Sequence, residues 1–256
     1  MILFRGRGLS HFQPDYPRHA RMSSIEPLDN VAHAAVKLRP GFGEAYGDAV
    51  NLMPLVANEF AAAQGDYPIL FRRADDGLQA FAILGFERDR NLFLKEGSWQ
   101  ARYVPAAARR GPFSLARAEG DDPGVVIDTA HPRIAGEGED GAPLFLDHGG
   151  HAPALEASLA ALRSLHLGAE QADAMSTLYT EFGLVEPADL AVTLHDGRTV
   201  KFDGYEVVSA DRLVTLGGQA LERLNAQGLL GPAFHAAASL SSFGRLIELE
   251  ATSARS

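Results

Sequence analysis

Nine histidines, 33 carboxylates and no cysteine set the chemistry open to this chain of 256 residues. Without a thiol there is no disulfide scaffold, thiol catalysis, iron–sulfur cluster or Cys-ligated zinc. The densest group of ligand-type residues is Asp147-His148-Gly149-Gly150-His151. As metal ligands, Asp147, His148 and His151 would share one ion. As a turn, they would lead an acidic loop into a helix near Ala152. A tight glycine turn splays neighbouring side chains, and no H-E-x-x-H spacing aligns the two imidazoles, so a turn is expected and no metal. His235 and Ser239, four apart, share a helical face. A Ser–His catalytic pair also needs an orienting acid and oxyanion donors, and no G-x-S-x-G elbow occurs. We expect these two to pack and bond locally. Glu59, Asp128 and His235 remain as weak ionisable candidates, of use only if the fold converges them.

The segment from Asn91 to Phe113 has the most unusual composition. It carries the only tryptophan, Trp99, then Tyr103-Val104-Pro105 and Arg109-Arg110-Gly111-Pro112-Phe113. Aromatic rings beside paired guanidinium groups are what recognition surfaces use. Trp99, Tyr103, Arg109 and Arg110 are therefore the partner-binding candidates. The competing reading makes Trp99 and Tyr103 anchors of a helical turn on the core, with solvated arginines.

The elements that must position these residues can be read from periodicity and turn residues. Residues 31–38 suit a short strand. Gly41-Phe42-Gly43-Glu44-Ala45-Tyr46-Gly47 places Tyr46 where a dinucleotide loop needs its third glycine, so a plain loop is expected. Asn51 and Pro54 mark a helix start, and Gly65 its stop. Tyr67 to Phe71 reads as a strand entering a hairpin with the three-residue loop Asp75-Asp76-Gly77. That loop pairs Phe71 with Phe81, Leu70 with Ala82 and Ile69 with Ile83. The ribbon is apolar on both faces and belongs inside a sheet. His195-Asp196-Gly197 closes a second hairpin, which pairs Leu194 with Arg198, Val192 with Val200 and Leu190 with Phe202, one face dry and the other wet. Phe113–Ala118 and Val125–Asp128 are further strands, and 131–142 is loop. Leu144-Phe145-Leu146 reads as a short apolar plug. Four helices follow: one through Leu155, Leu159, Leu162 and Leu165 to a stop at Gly168; one through Met175, Leu178 and Phe182 to Gly183; then Asp211–Leu224 and Leu229–Glu250. The order predicts an α+β fold, with a mainly antiparallel sheet built from hairpins and helices grouped in the C-terminal half.

Net charge is −10, from 23 basic and 33 acidic side chains. Holding nucleic acid by phosphate neutralisation calls for a basic face, so no nucleic-acid partner is expected. No apolar run approaches 18 residues, and no membrane span is expected. Residues 1–22 read as a disordered basic leader, and 23–256 as a single α+β domain. The initial apolar run, Met1 to Phe4, is too short for a signal-peptide core. That places the protein in the cytoplasm unless it leaves by signal-free export to the cell surface.

Several motifs in order resemble the SapC family of bacterial proteins. Pro54-Leu55, Glu59-Phe60, Tyr67 to Phe71, Gly85, Asn91-Leu92-Phe93, Gly97, Trp99, Tyr103-Val104-Pro105 and Arg109 to Phe113 carry the first half. Leu144-Phe145, Gly204 with Asp211 and Leu213, and His235 to Leu240 carry the second. The resemblance spans roughly residues 30–248 and is densest over 54–113; Gly111 stands where a tyrosine is expected. It implies association with a paracrystalline surface layer, with no established catalytic residues. It also implies an accessory role beside halogenase-like flavoproteins and outer-membrane receptors. The peptide-transporter permease that shares the name would need several membrane spans, which this chain lacks.

The leading expectation is a non-catalytic binding or assembly protein of this family, acidic and soluble, with a protein or peptide partner, no cofactor and no catalytic set. Its oligomeric state is open. Alanine at Trp99 and Arg110 is expected to abolish partner capture and leave stability nearly unchanged. The alternative is an enzyme or enzyme accessory acting on a peptide or small metabolite, beside a flavin-dependent halogenase-like partner. Glu59, Asp128 and His235 would then supply the chemistry.

Overall fold

The computed structural model describes residues 24–253, apart from 76, 118–122 and 137. The expected leader over 1–22 lies outside them. The described chain opens with β1 (Ile25–Pro27) and β2 (Lys37–Leu38), then β3 (Leu52–Leu55), α1 (Phe60–Ala63), β4 (Ile69–Ala74) and β5 (Gly77–Ile83). A small ribbon, β6 (Leu94–Lys95) with β7 (Ser98–Trp99), precedes α2 (Ala106–Arg109). Next come β8 (Phe113–Arg117), β9 (Pro123–Asp128), β10 (Ala142–Pro143) and the long α3 (Pro153–Glu181). The remainder is β11 (Val185–Pro187), β12 (Ala191–Thr193), β13 (Thr199–Lys201), β14 (Glu206–Val208), α4 (Ala210–Val214), α5 (Gly218–Ala226), α6 (Leu230–Ser239) and α7 (Phe243–Ser253).

The main sheet runs β11-β14-β4-β5-β3, and every pairing in it is antiparallel. The fold is α+β, with its longer helices in the C-terminal half. Ile69, Leu70 and Phe71 are all fully buried, because β4 has a strand on each side and apolar residues over both faces. The second hairpin has the expected register, Val192 opposite Val200 and the Leu194 N–H donating to the Arg198 carbonyl at 2.8 Å.

Five expectations are corrected. The first hairpin pairs Ile69 with Ala82, Leu70 with Phe81 and Phe71 with Ala80, one residue away from the three-residue-loop register. Residues 52–55 form a strand rather than the start of a helix. Pro54 is tolerated because β3 is the sheet's edge, where a missing N–H leaves no ladder bond unmade. Residues 31–35 are a turn, fixed by the Asp29 carboxylate accepting from the N–H groups of Val31 and Ala32, so the strand shrinks to Lys37–Leu38. Gly168 does not stop a helix, since α3 runs 29 residues through it. It is buried, and a Cβ there would lie 2.2 Å from Val56 Cβ, so this glycine marks the close approach of α3 to the turn that follows β3. The last two expected helices are four, broken at Thr215–Gly217 and by a 3-10 turn over Leu240–Ser242.

Two apolar clusters meet along α3. Its first half sends Leu155, Leu159 and Leu162 into a small core with Phe113, Ile127, Leu144 and Phe145. Its second half sends Met175, Leu178 and Tyr179 against the main sheet and α6–α7. Within the expected apolar plug, Leu144 and Phe145 are buried and Leu146 is exposed.

Candidate functional site

Glu59 sits at the end of a 3-10 turn that follows edge strand β3, and its side chain folds inward. A buried carboxylate needs donors for its lone pairs. Glu59 Oε2 accepts from the Val56 N–H at 3.0 Å, while Oε1 accepts from the Ala106 N–H at 2.8 Å and the Tyr103 hydroxyl at 2.7 Å. Burial pushes the Glu59 carboxyl above its ordinary value; these donors and the Arg109 guanidinium pull the other way without cancelling it. Burial and the facing Glu59 carboxylate likewise raise the Tyr103 phenol.

Arg109 closes the arrangement. Its Nη2 donates to the Tyr103 hydroxyl at 3.1 Å and its Nε to the Val104 carbonyl at 2.8 Å, with the guanidinium over the Tyr103 ring. Arg110 turns back to donate to the Phe113 carbonyl at 2.9 Å. The Trp99 indole is only 8% exposed, and its N–H donates to the Tyr67 hydroxyl at 2.7 Å. Tyr67 in turn donates to the Tyr103 carbonyl. Thus Trp99, Tyr103 and Arg109, read together as a recognition segment, and Glu59, read apart from them as an ionisable candidate, belong to one hydrogen-bonded unit. The indole faces inward as a core anchor, so the expectation that alanine at Trp99 spares stability does not fit its burial. Trp99 lies in a strand and Tyr103 in a loop, so the pair does not form a helical turn.

Asp66, fully buried just after α1, is the centre of the unit that sequence reasoning missed. Its Oδ2 accepts from the N–H groups of Arg102 and Tyr103, each at 3.0 Å, and its Oδ1 pairs with Arg245 of α7. The Arg245 guanidinium also donates to the Gln100 carbonyl at 2.9 Å and lies over the Phe93 ring. Two carboxylates, Glu59 and Asp66, therefore hold the backbone of residues 100–106 in place from beneath. In the sequence, Gly65-Asp66-Tyr67 resembles a plain turn, and Arg245 lies 179 residues away.

Above that braced segment lies an open groove of about 550 Å³ between α1 and α6. Small residues, Ala61, Ala62, Gly65 and Ala238, shape it, and Arg102 and Tyr103 line one side. The Arg102 side chain is 80% exposed.

The other ionisable candidates do not converge. Asp128 ends β9 and accepts from the Ala130 N–H at 3.1 Å, beside His131. His235 lies half-buried on α6, and no hydrogen bond or ion pair joins any two of Glu59, Asp128 and His235 among the described residues. Ser239 is buried: its hydroxyl accepts from the Ile69 N–H at 2.9 Å and donates to the Ala236 carbonyl at 2.6 Å. Asp147 and His148 are exposed, whereas His151 Nδ1 lies 2.7 Å from Glu156. No group of three or more histidine and carboxylate side chains is placed to hold a metal among the described residues. No helix among them is long and apolar enough to cross a membrane.

No curated protein and no solved structure matches this chain. A family model does, described as SapC, over residues 28–246, a span that includes the Glu59–Asp66 unit, the groove and α6. The chain belongs to the SapC family.

Proposed function

We propose that this chain is a non-catalytic binding or assembly protein, working at the bacterial surface layer that the family's name suggests, and that it meets its partner at the groove between α1 and α6. One observation carries the reading: Glu59, Asp66, Tyr103 and Arg109 spend their polar atoms on fixing residues 100–106, and the outer side of that segment opens onto a concave surface. A recognition loop held in one conformation loses less entropy when it binds. A general acid or base needs access to substrate, and Glu59 is 1% exposed.

Filling the groove tests this. Ala238 is exposed on α6, so Ala238→Trp adds an indole to the groove at little cost to the core. Tagged wild-type protein, retrieved from its own cells, is expected to bring a specific partner that Ala238→Trp loses at an unchanged Tm. Capture of the same proteins by both, or of none by the wild type, overturns the proposal.

A further inference from the structure

Asp66 is oversubscribed. Two backbone N–H groups occupy its Oδ2, and Arg245 takes its Oδ1. Arg102 Nε stands 3.6 Å from that same Oδ1, beyond hydrogen-bond distance, and Nη2 reaches the Gly65 carbonyl at only 3.4 Å. Two guanidinium charges thus share one carboxylate, and the surplus sits on Arg102 at the wall of the groove. An exposed contact of this length contributes little, so the Arg102 head is available to a better acceptor. Gly65 makes its position possible: a Cβ there would lie 2.6 Å from Arg102 Nη2. Alanine and glycine residues next to that charge leave room for a modest apolar side chain.

Resting on the reading of the groove as the partner site, we propose that its occupant is an acidic peptide segment of a partner protein. The segment places an aspartate or glutamate carboxylate on Arg102 and an adjacent apolar side chain between Ala61, Ala62 and Ala238. Charge complementarity selects this occupant: Arg102 and Arg245 against the single Asp66 carboxylate leave a local cationic surplus at the groove wall, which favours an anion there. A planar guanidinium suits a carboxylate, which it can bind through two parallel N–H bonds.

The experiment selects displayed random heptapeptides on the full wild-type chain, in parallel with Arg102→Gln and Gly65→Ala. Peptides enriched on the wild type are expected to carry Asp or Glu beside an apolar residue. Binding of such a peptide should weaken about ten-fold or more when its carboxylate becomes an amide or when Arg102 becomes Gln, and should weaken as salt rises. Gly65→Ala displaces the Arg102 head without removing its charge and should weaken the same peptide several-fold at an unchanged Tm. The inference is overturned by no enrichment, by enrichment without acids, by an unchanged preference on Arg102→Gln, or by N-acetylglutamate competing as well as the peptide. Self-association blocked by Ala238→Trp would also overturn it. If Ala238→Trp abolishes partner capture while Arg102→Gln retains it, the groove stands as the binding site and only the acidic occupant fails.

Discussion

The Tyr103 hydroxyl donates to Glu59 Oε1 at 2.7 Å while accepting from Arg109 Nη2 at 3.1 Å, so a phenol stands between a buried carboxylate and a guanidinium. The carboxylate holds two backbone N–H groups as well. Glu59→Ala strips three donors of their acceptor and is expected to cost about 3–5 kcal/mol in denaturant unfolding. Burial raises this carboxyl above its ordinary value, so the folded chain keeps the proton to higher pH than the unfolded chain. Its contribution to stability is therefore complete below pH 4.5 and declines as pH climbs through the raised value. Glu59→Gln cannot ionise, so the wild type's advantage over it should narrow with rising pH; an advantage that widens would contradict this.

Tyr67 and Trp99 form a second couple. Tyr67→Phe leaves the buried indole N–H without its acceptor, at an expected cost of about 1–3 kcal/mol. Trp99→Phe removes the donor instead. A double-mutant cycle by thermal unfolding should show the two losses to be less than additive, and simple additivity would contradict the bond.

Gly168 crosses Val56 at a distance no side chain fits. Alanine is the better helix former by about 1 kcal/mol, yet overpacking costs about 1–3 kcal/mol. Gly168→Ala should thus lower the Tm, and a raised Tm would mean that α3 and the Val56 turn separate easily.

His131 gives the acid side of the stability profile. Burial lowers its pKa from 6.5 to about 4; Asp128 opposes the shift, while Arg110 and Arg133 add to it. The unfolded chain binds this proton first, so the stabilisation is full above pH 6.5 and is lost as pH falls through about 4. The loss amounts to about 3 kcal/mol. His131→Asn can still accept from the Arg133 N–H, as Nδ1 does at 3.0 Å. It should flatten the stability curve between pH 6.5 and 4, and an unaltered acid limb would contradict the assignment.

The legible parts of the fold were those in which a shift of register would be punished. In the second hairpin, a slip would turn Val192 outward and Thr193 inward, so one pairing stands out. The first hairpin is apolar on both faces, so a slip by one residue exposes nothing and the sequence could not choose. Gly168 read as a stop because a glycine that ends a helix and one that admits a neighbour look alike until the neighbour is known. At the site, Trp99, Tyr103 and Arg109 drew notice together as a displayed surface and Glu59 apart from them, but not the bond from Tyr103 to Glu59 that joins them. Asp66 and Arg245 escaped because their pairing spans 179 residues, and no local pattern encodes a partner so far away.

The links from α6 and α7 back to the first third of the chain have a consequence for how the protein is made. The Ile69 amide waits for Ser239, the Gln64 carbonyl for Ser242 and the Asp66 carboxylate for Arg245. These partners are translated about 170 or more residues later. A nascent chain on the ribosome therefore cannot seal the start of β4, or pair Asp66, until α6 and α7 have been made, and until then that strand is open to chaperone or protease.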